Sequence, residues 1–299
     1  MITLHEVGDV RHCCDDTRRA GGRVGLVPTM GSFHEGHRSL MRAARLDNDL
    51  VVTSVFVNPT QFGPGEDLSG YPRDPDGDAA VADAVGVDVL FAPRVEAMYP
   101  AGARTTVHVS DLTSRLCGAS RPTHFDGVAT IVTKLFNIIG PTRAYFGRKD
   151  AQQLAVVRRL VDDLNLPVDV VGCPLVRDAD GLALSSRNAY LDPTDRRAAL
   201  VLIRALRSSA DSVHHGERDA LALRDQTRAT IEDEPGVRLD YAELVDARTI
   251  EPVLVVDGTV VLAVAAFVGR TRLIDNLAIT ITPSGVETDL GVLTEEQRT

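Results

Sequence analysis

The sequence has no tryptophan, and with five tyrosines and eight phenylalanines its aromatic content is only 4% of 299 residues. Its core must therefore rest on Val, Leu, Ile and Ala. Cysteine is also scarce. The four cysteines, Cys13, Cys14, Cys117 and Cys173, form no C-x-x-C pair, and adjacent Cys13 and Cys14 are poor partners for one another. A chain this long needs no disulfide staples, so a reducing compartment is expected. A charged N-terminal stretch leading into an apolar run is lacking, so no signal peptide is expected. Nor does any apolar run approach the ~20 residues that would span a membrane. Basic runs are missing too. With a net charge of −10 the chain is a poor partner for nucleic acid. Binding a nucleotide such as ATP remains open, because that needs only a local group of donors.

What is present is ordinary for a soluble globular protein: 44% hydrophobic and 25% charged residues. The first half alternates β-rich and helical segments. Residues 23–27, 50–58, 87–92, 144–146 and 168–172 read as strands. Residues 39–46, 78–85, 128–139 and 151–164 read as helices. The run LVVTSVFVN at 50–58 is almost continuously apolar, as a strand buried on both faces would be. This alternation predicts an α/β fold, a parallel sheet with helices on both faces, which binds ligands at the carboxyl ends of its strands. After Arg187 the character changes. Residues 193–213 and 219–231 read as helices, while 239–245, 260–267 and 272–281 are β-rich. We expect a larger α/β, ligand-binding domain over 1–187, a smaller α+β domain over 188–284 and a frayed tail over 285–299.

Four clusters carry candidate chemistry. Residues 28–37 (PTMGSFHEGH) follow a strand and open a helix, where free N–H groups and the helix dipole favour phosphate. His34 and His37, three apart, lie on one face and are suited to donate to phosphate oxygens. H-E-G-H is not the H-E-x-x-H of a zinc protease. An exposed histidine pair is the bland alternative. The second cluster, Gly147-Arg148-Lys149-Asp150, places a lysine at a strand's carboxyl end. The third, Leu184-Ser185-Ser186-Arg187, offers hydroxyls and a guanidinium, or simply a helix cap. The fourth, around Asn58 and Gln61, offers amides to a hydroxy acid, or an Asx turn before Pro59.

In order, the strings PTMGSFHEGH, SVFVNPTQFGPGEDLSGYPR, RPTHFDGVATIVTKLFN, FGRKDAQQL and DGLALSSRN resemble the pantothenate synthetase (pantoate–β-alanine ligase) family. The resemblance implies a Rossmann-like nucleotidyltransferase domain, with H-E-G-H matching the H-I-G-H motif of that superfamily. It implies a cytoplasmic homodimer that uses ATP and Mg²⁺ to join pantoate and β-alanine through an acyl-adenylate. By position, Met30, Gly31, His34, Gly36, His37, Gly147, Lys149, Asp150, Val176, Leu184, Ser185, Ser186 and Arg187 would contact the nucleotide. Of these, His34, His37, Lys149, Ser185, Ser186 and Arg187 would be catalytic. Asn58, Gln61 and Gln153 would hold pantoate, and Asp78 would lie near Mg²⁺. Three positions depart from the family's usual pattern: Arg148 and Gly77 replace acidic residues, and Cys117 replaces a glutamate. A related amide ligase acting on another acid or amine is the alternative reading.

Overall fold

In the computed structural model, which describes residues 1–66 and 68–294, the chain begins with β1 (Ile2–Leu4), α1 (Val7–Arg19), β2 (Val24–Thr29), α2 (Glu35–Asp47) and β3 (Leu50–Val55). It continues through α3 (Pro75–Ala84), β4 (Val89–Phe91), α4 (Val95–Met98), α5 (Cys117–Ser120), α6 (His124–Ile139), β5 (Arg143–Gly147), α7 (Ala151–Asp163) and β6 (Asp169–Cys173). Then come β7 (Val176–Arg177), α8 (Pro193–Ala199), α9 (Val201–His214), α10 (Ala220–Glu232), β8 (Val237–Asp246), β9 (Thr259–Val268), β10 (Thr271–Thr282), β11 (Gly285–Asp289) and β12 (Val292–Leu293). Short 3₁₀ turns occupy Pro59–Gln61, Arg148–Asp150 and Ser186–Tyr190.

Two units divide these elements. The first comprises Met1–Ser114, Gly118–Gly147 and Val156–Cys173; the second comprises Arg115–Cys117, Arg148–Ala155 and Pro174 onward. The expected boundary at 187/188 thus differs from the observed one at Pro174, and two short upstream segments also belong to the second unit.

The first unit is built on a six-stranded, all-parallel sheet in the order β1-β4-β3-β2-β5-β6. The four central residues of β3 are buried, as a strand covered on both faces requires. Val27, Met41, Ala44, Val51, Leu90 and Tyr145 share one core cluster against the sheet. Strand order turns back between β2 and β5: β3 and β4 lie on one side of β2, and β5 and β6 on the other. That reversal is the switch point where doubly wound sheets open a crevice at their carboxyl ends. Residues 30–37 leave the carboxyl end of β2, and Gly147 closes β5.

The second unit contains the antiparallel sheet β11-β10-β9-β8, with α9 and α10 packed against it. Its core includes Leu202, Leu206, Leu223, Leu244, Leu262, Val264 and Leu277. Two expectations are corrected here. The single helix expected over 193–213 is two helices meeting at Leu200. The segment expected to fray from 285 instead forms β11, antiparallel to β10, and β12, parallel to β7; residues 295–299 lie outside the described residues. α1 and β1 had no counterpart in the sequence reading. All four cysteines are free. Among the described residues no helix is long and apolar enough to cross a membrane.

Candidate active site

Strand β2 ends in Thr29, whose hydroxyl donates to the Ser54 carbonyl at 2.6 Å and accepts from the Gly31 amide at 3.2 Å. Gly31 and Ser32 then both take left-handed backbone, φ 88° and 56°. A side chain at Gly31 would place its Cβ 2.7 Å from Asp78 Oδ2, so the position needs glycine for shape as well as for φ. Asp78, at the start of α3 and buried, accepts the amides of Ser32 at 2.8 Å and Phe33 at 2.7 Å, one on each oxygen. Burial pushes its carboxyl up, against the pull of those two amides, and Asp74 adds to the rise. Asp78 is therefore a brace for the turn. Each of its two oxygens accepts one backbone amide. Among the described residues no group of three or more His, Cys, Asp or Glu side chains is arranged to hold a metal ion.

His34 is the N-cap of α2, and the two histidines cap that helix reciprocally. The Gly36 amide donates to His34 Nδ1 at 3.2 Å, and the His34 amide donates to His37 Nδ1 at 3.3 Å. The rings lie 4.2 Å apart, centroid to centroid. An Nδ1 that accepts an N–H carries no proton in the neutral ring. The caps therefore select the tautomer with hydrogen on Nε2, and each imidazole presents an Nε2–H donor. These donors sit at a helix N-terminus, at the carboxyl edge of a parallel sheet. Glu35, between them, pairs with Arg38 and Arg42, so it is not poised as a metalloprotease base.

The amide cluster forms the Asx turn that was its alternative reading, the Thr60 amide donating to Asn58 Oδ1 at 3.4 Å. Asn58 is fully engaged: its Nδ2 donates to Gln61 Oε1 at 3.1 Å and to the Gly127 carbonyl at 3.0 Å. Its Oδ1 accepts from the Thr60 hydroxyl at 2.9 Å and the Tyr99 hydroxyl at 2.8 Å. Burial raises the Tyr99 pKa, which keeps that phenol a donor. Asn58 thus orients Gln61, while Gln61 Nε2 reaches Met30 Sδ at 2.9 Å. The Gln61 carbonyl is held by Arg121 at 3.2 Å and by His124 Nδ1 at 2.9 Å. Arg121 also forks onto Glu66, at 2.8 and 2.5 Å; burial opposes ionisation of Glu66, but the guanidinium holds its pKa below the usual value. Tyr99, Arg121, His124 and Gly127 were assigned no role from sequence. The RPTHFDG string was the only signal for three of them. A Cβ on Gly127 would lie 2.5 Å from the Thr60 carbonyl oxygen, so this glycine lets α6 approach the Pro59–Gln61 turn.

The second unit carries Lys149, Asp150, Gln153, Val176, Leu184 and Ser185–Arg187, while Gly147 ends the first unit's β5. Lys149 lies in the turn Arg148–Asp150, its side chain four-fifths buried, with Nζ 4.0 Å from Asp150. Gln153 is partly exposed on α7. The neighbouring Gln152 is buried and structural, accepting from the Cys117 amide and donating to the Arg115 carbonyl. Val176 and Leu184 pair through backbone, the Leu184 amide donating to the Val176 carbonyl at 3.0 Å. With the turn at 178–181 they form a small hairpin that delivers Ser185, Ser186 and Arg187. Ser185 Oγ caps the following 3₁₀ turn, accepting from the Arg187 amide at 3.3 Å. The departures at 148 and 117 also find partners in this unit. Arg148 pairs with Asp289. Cys117 Sγ lies 3.2 Å from the Tyr241 hydroxyl and 3.6 Å from the Arg272 guanidinium, which pairs with Asp240. Gly77 donates its amide to the Asp74 cap of α3, in the first unit.

The pantoate–β-alanine ligase family model matches residues 2–278. A pantothenate synthetase of Heliobacterium modesticaldum is 56% identical over 281 residues, covering 94% of this chain and 100% of the relative. That of Moorella thermoacetica is 53% identical over 281 residues, covering 94% and 99%. Among solved structures, a pantothenate synthetase from Thermus thermophilus superposes with a TM-score of 0.88 at 48% identity, covering 92% of this chain and 98% of that one. A Francisella tularensis pantoate-β-alanine ligase complexed with beta-gamma ATP and β-alanine gives a TM-score of 0.76 at 32% identity, covering 92% and 97%.

Proposed function

Because the chain belongs to the pantoate–β-alanine ligase family, it condenses pantoate with β-alanine at the expense of ATP, and we propose that it does so through a pantoyl-adenylate formed over the His34–His37 pair. The pantoate carboxylate attacks the α-phosphorus in line, and pyrophosphate leaves. The β-alanine amine then attacks the mixed anhydride, loses a proton and expels AMP. Neither step needs a protein nucleophile. The protein must orient the reactants and neutralise charge that builds on phosphate oxygens.

The observation that carries this reading is the reciprocal capping of the two histidines, which selects two Nε2–H donors at the N-terminus of α2. By the family resemblance, Lys149, Ser185, Ser186 and Arg187 are assigned to the nucleotide as further cation and donors. Met30, Gly31, Gly36, Gly147, Asp150, Val176 and Leu184 contribute contacts to it. Gln61 is the amide for pantoate, with Gln153, and Asn58 acts by fixing Gln61. Mg²⁺ would be held chiefly through substrate phosphates and retained waters, where it would neutralise phosphate charge. The protein works as a cytoplasmic homodimer, in keeping with the family resemblance and four free thiols.

Incubation with ATP, pantoate and β-alanine, followed by mass analysis, should yield pantothenate and AMP in equal amounts. Pantoate alone should support ATP–pyrophosphate exchange. Formation of ADP, or exchange indifferent to pantoate, would remove the adenylate route.

A further inference from the structure

Asn276 lies buried on β10, and the reaction described above gives it no part. Its carboxamide nitrogen donates to two consecutive carbonyls, Arg148 at 3.0 Å and Lys149 at 2.9 Å. Both hydrogens of one NH₂ group are thus spent on the backbone of the turn that presents Lys149. The Asn276 amide in turn donates to Asp275 Oδ1 at 2.7 Å. Asp275 is buried and forms a two-pronged pair with Arg177, at 2.7 and 2.8 Å. Arg177 is buried as well, and its Nη1 donates to the Gly181 carbonyl at 3.0 Å. Gly181 closes the turn of the hairpin that carries Ser185, Ser186 and Arg187. Every member of this series belongs to the second unit.

The chemistry explains why an amide is needed at 276. Two adjacent carbonyls ask for two hydrogens from one side chain in a fixed plane, which Asn supplies and Asp, Ser or Leu does not. A lysine acts on phosphate as a point charge on a flexible stem, so its reach depends on where the backbone holds its Cα. Burial of Arg177 and Asp275 makes the support stiff, because separating either partner leaves a buried charge uncompensated.

We propose that Asn276 is a positioning residue for Lys149, and that the Arg177–Asp275 pair registers the Lys149 turn against the Ser185–Arg187 hairpin. This rests on the assignment of Lys149 to the nucleotide, and the test keeps the two apart. ATP–pyrophosphate exchange is measured for Lys149→Ala, Asn276→Asp and the double variant, with melting temperatures for each. Lys149→Ala should lose exchange strongly. Asn276→Asp should lose on the order of 10–100-fold in kcat/KM for ATP, the scale of an ångström-sized misplacement, with KM for pantoate unchanged. The double variant should be no slower than Lys149→Ala alone, because Asn276 works only through that lysine. A merely structural asparagine would instead multiply its loss onto the Lys149→Ala background, and that result overturns the proposal. Full exchange in Lys149→Ala would dismiss the lysine's assignment itself. A dead Lys149→Ala beside a fully active Asn276→Asp would leave the lysine and dismiss Asn276. Should the aspartate variant fail to fold, Asn276→Ala, which buries no charge, reads the same cycle.

Discussion

Arg148 Nη1 lies 2.9 Å from Asp289 Oδ2, joining the Lys149 turn to strand β11. Both side chains are partly exposed, at 48% and 37%, so the pair contributes under about 1 kcal/mol after solvent screening. We expect Arg148→Glu, which restores the family's usual acid, to set two carboxylates against each other and raise KM for ATP two- to fivefold, about 0.4–1 kcal/mol. The swap Arg148→Glu with Asp289→Arg should recover most of that loss. Equal kinetics for single and swapped variants, at low and high salt, would show that the pair does not matter to the turn.

Histidine 34 combines two roles that one substitution can separate. In His34→Asn the carboxamide oxygen can accept the Gly36 amide as Nδ1 does, since asparagine is a strong N-cap, but the Nε2–H is gone. Melting should then stay within about 0.5 kcal/mol of the parent, while exchange falls about 10²–10³-fold. His34→Ala should lose the same rate and about 1 kcal/mol of stability besides. Near-normal exchange in His34→Asn would leave the imidazole with a capping role only.

Asp78 gives a pH signature. Burial raises its folded-state pKa above the ordinary 3.8. Between the unfolded and folded values the native state therefore binds the proton more tightly, and the slope of unfolding free energy with pH is negative. This contribution is fully present below 3.8 and is lost as pH rises through the folded value. Asp78→Asn cannot titrate, and its NH₂ faces an amide that needs an acceptor, at a cost of about 1–3 kcal/mol. The stability difference between parent and variant, followed by denaturant titration, should change in the parent's favour as pH falls through that window. A difference flat with pH would show that Asp78 titrates as it does in the unfolded chain.

Gly127 is a steric prediction. The atoms nearest an added Cβ are backbone, the Thr60 carbonyl at 2.5 Å and the Gln61 nitrogen and Cα at 2.6 Å, and backbone cannot rotate away. Gly127→Ala should destabilise by about 1–3 kcal/mol and raise KM for pantoate more than KM for ATP, since α6 pushes on the Gln61 turn. Unchanged pantoate kinetics would detach this turn from acid binding.

The parallel sheet was legible because residues 50–58 are almost continuously apolar, as the burial of the four central residues of β3 requires. α1 was not legible: only Val10 and Cys14 of its 13 residues are buried, too thin a stripe to show a period. β11 was missed for a related reason, since its GVETD sequence alternates weakly and its residues are exposed or only partly buried at a sheet edge. The histidine pair could be found because its partners are three residues apart. Gln61 could be singled out, but its supports could not. Tyr99, Arg121, His124 and Gly127 lie 38 to 66 positions further along the chain, and only folding gathers them. For Asn58, sequence shows what an amide can bind and not the partners that folding brings to it.

The way the chain shuttles between units bears on how it can be dissected. Lys149 precedes β6 in the sequence, yet its turn is counted with the β-rich unit that resumes at Pro174 and is clasped by a β10 residue. Cutting the gene at codon 174 would therefore sever the ammonium's segment from the asparagine that clasps it. Neither fragment would be a faithful copy of a unit, so complementation between separately expressed halves must be judged with residues 148–155 supplied on the second piece.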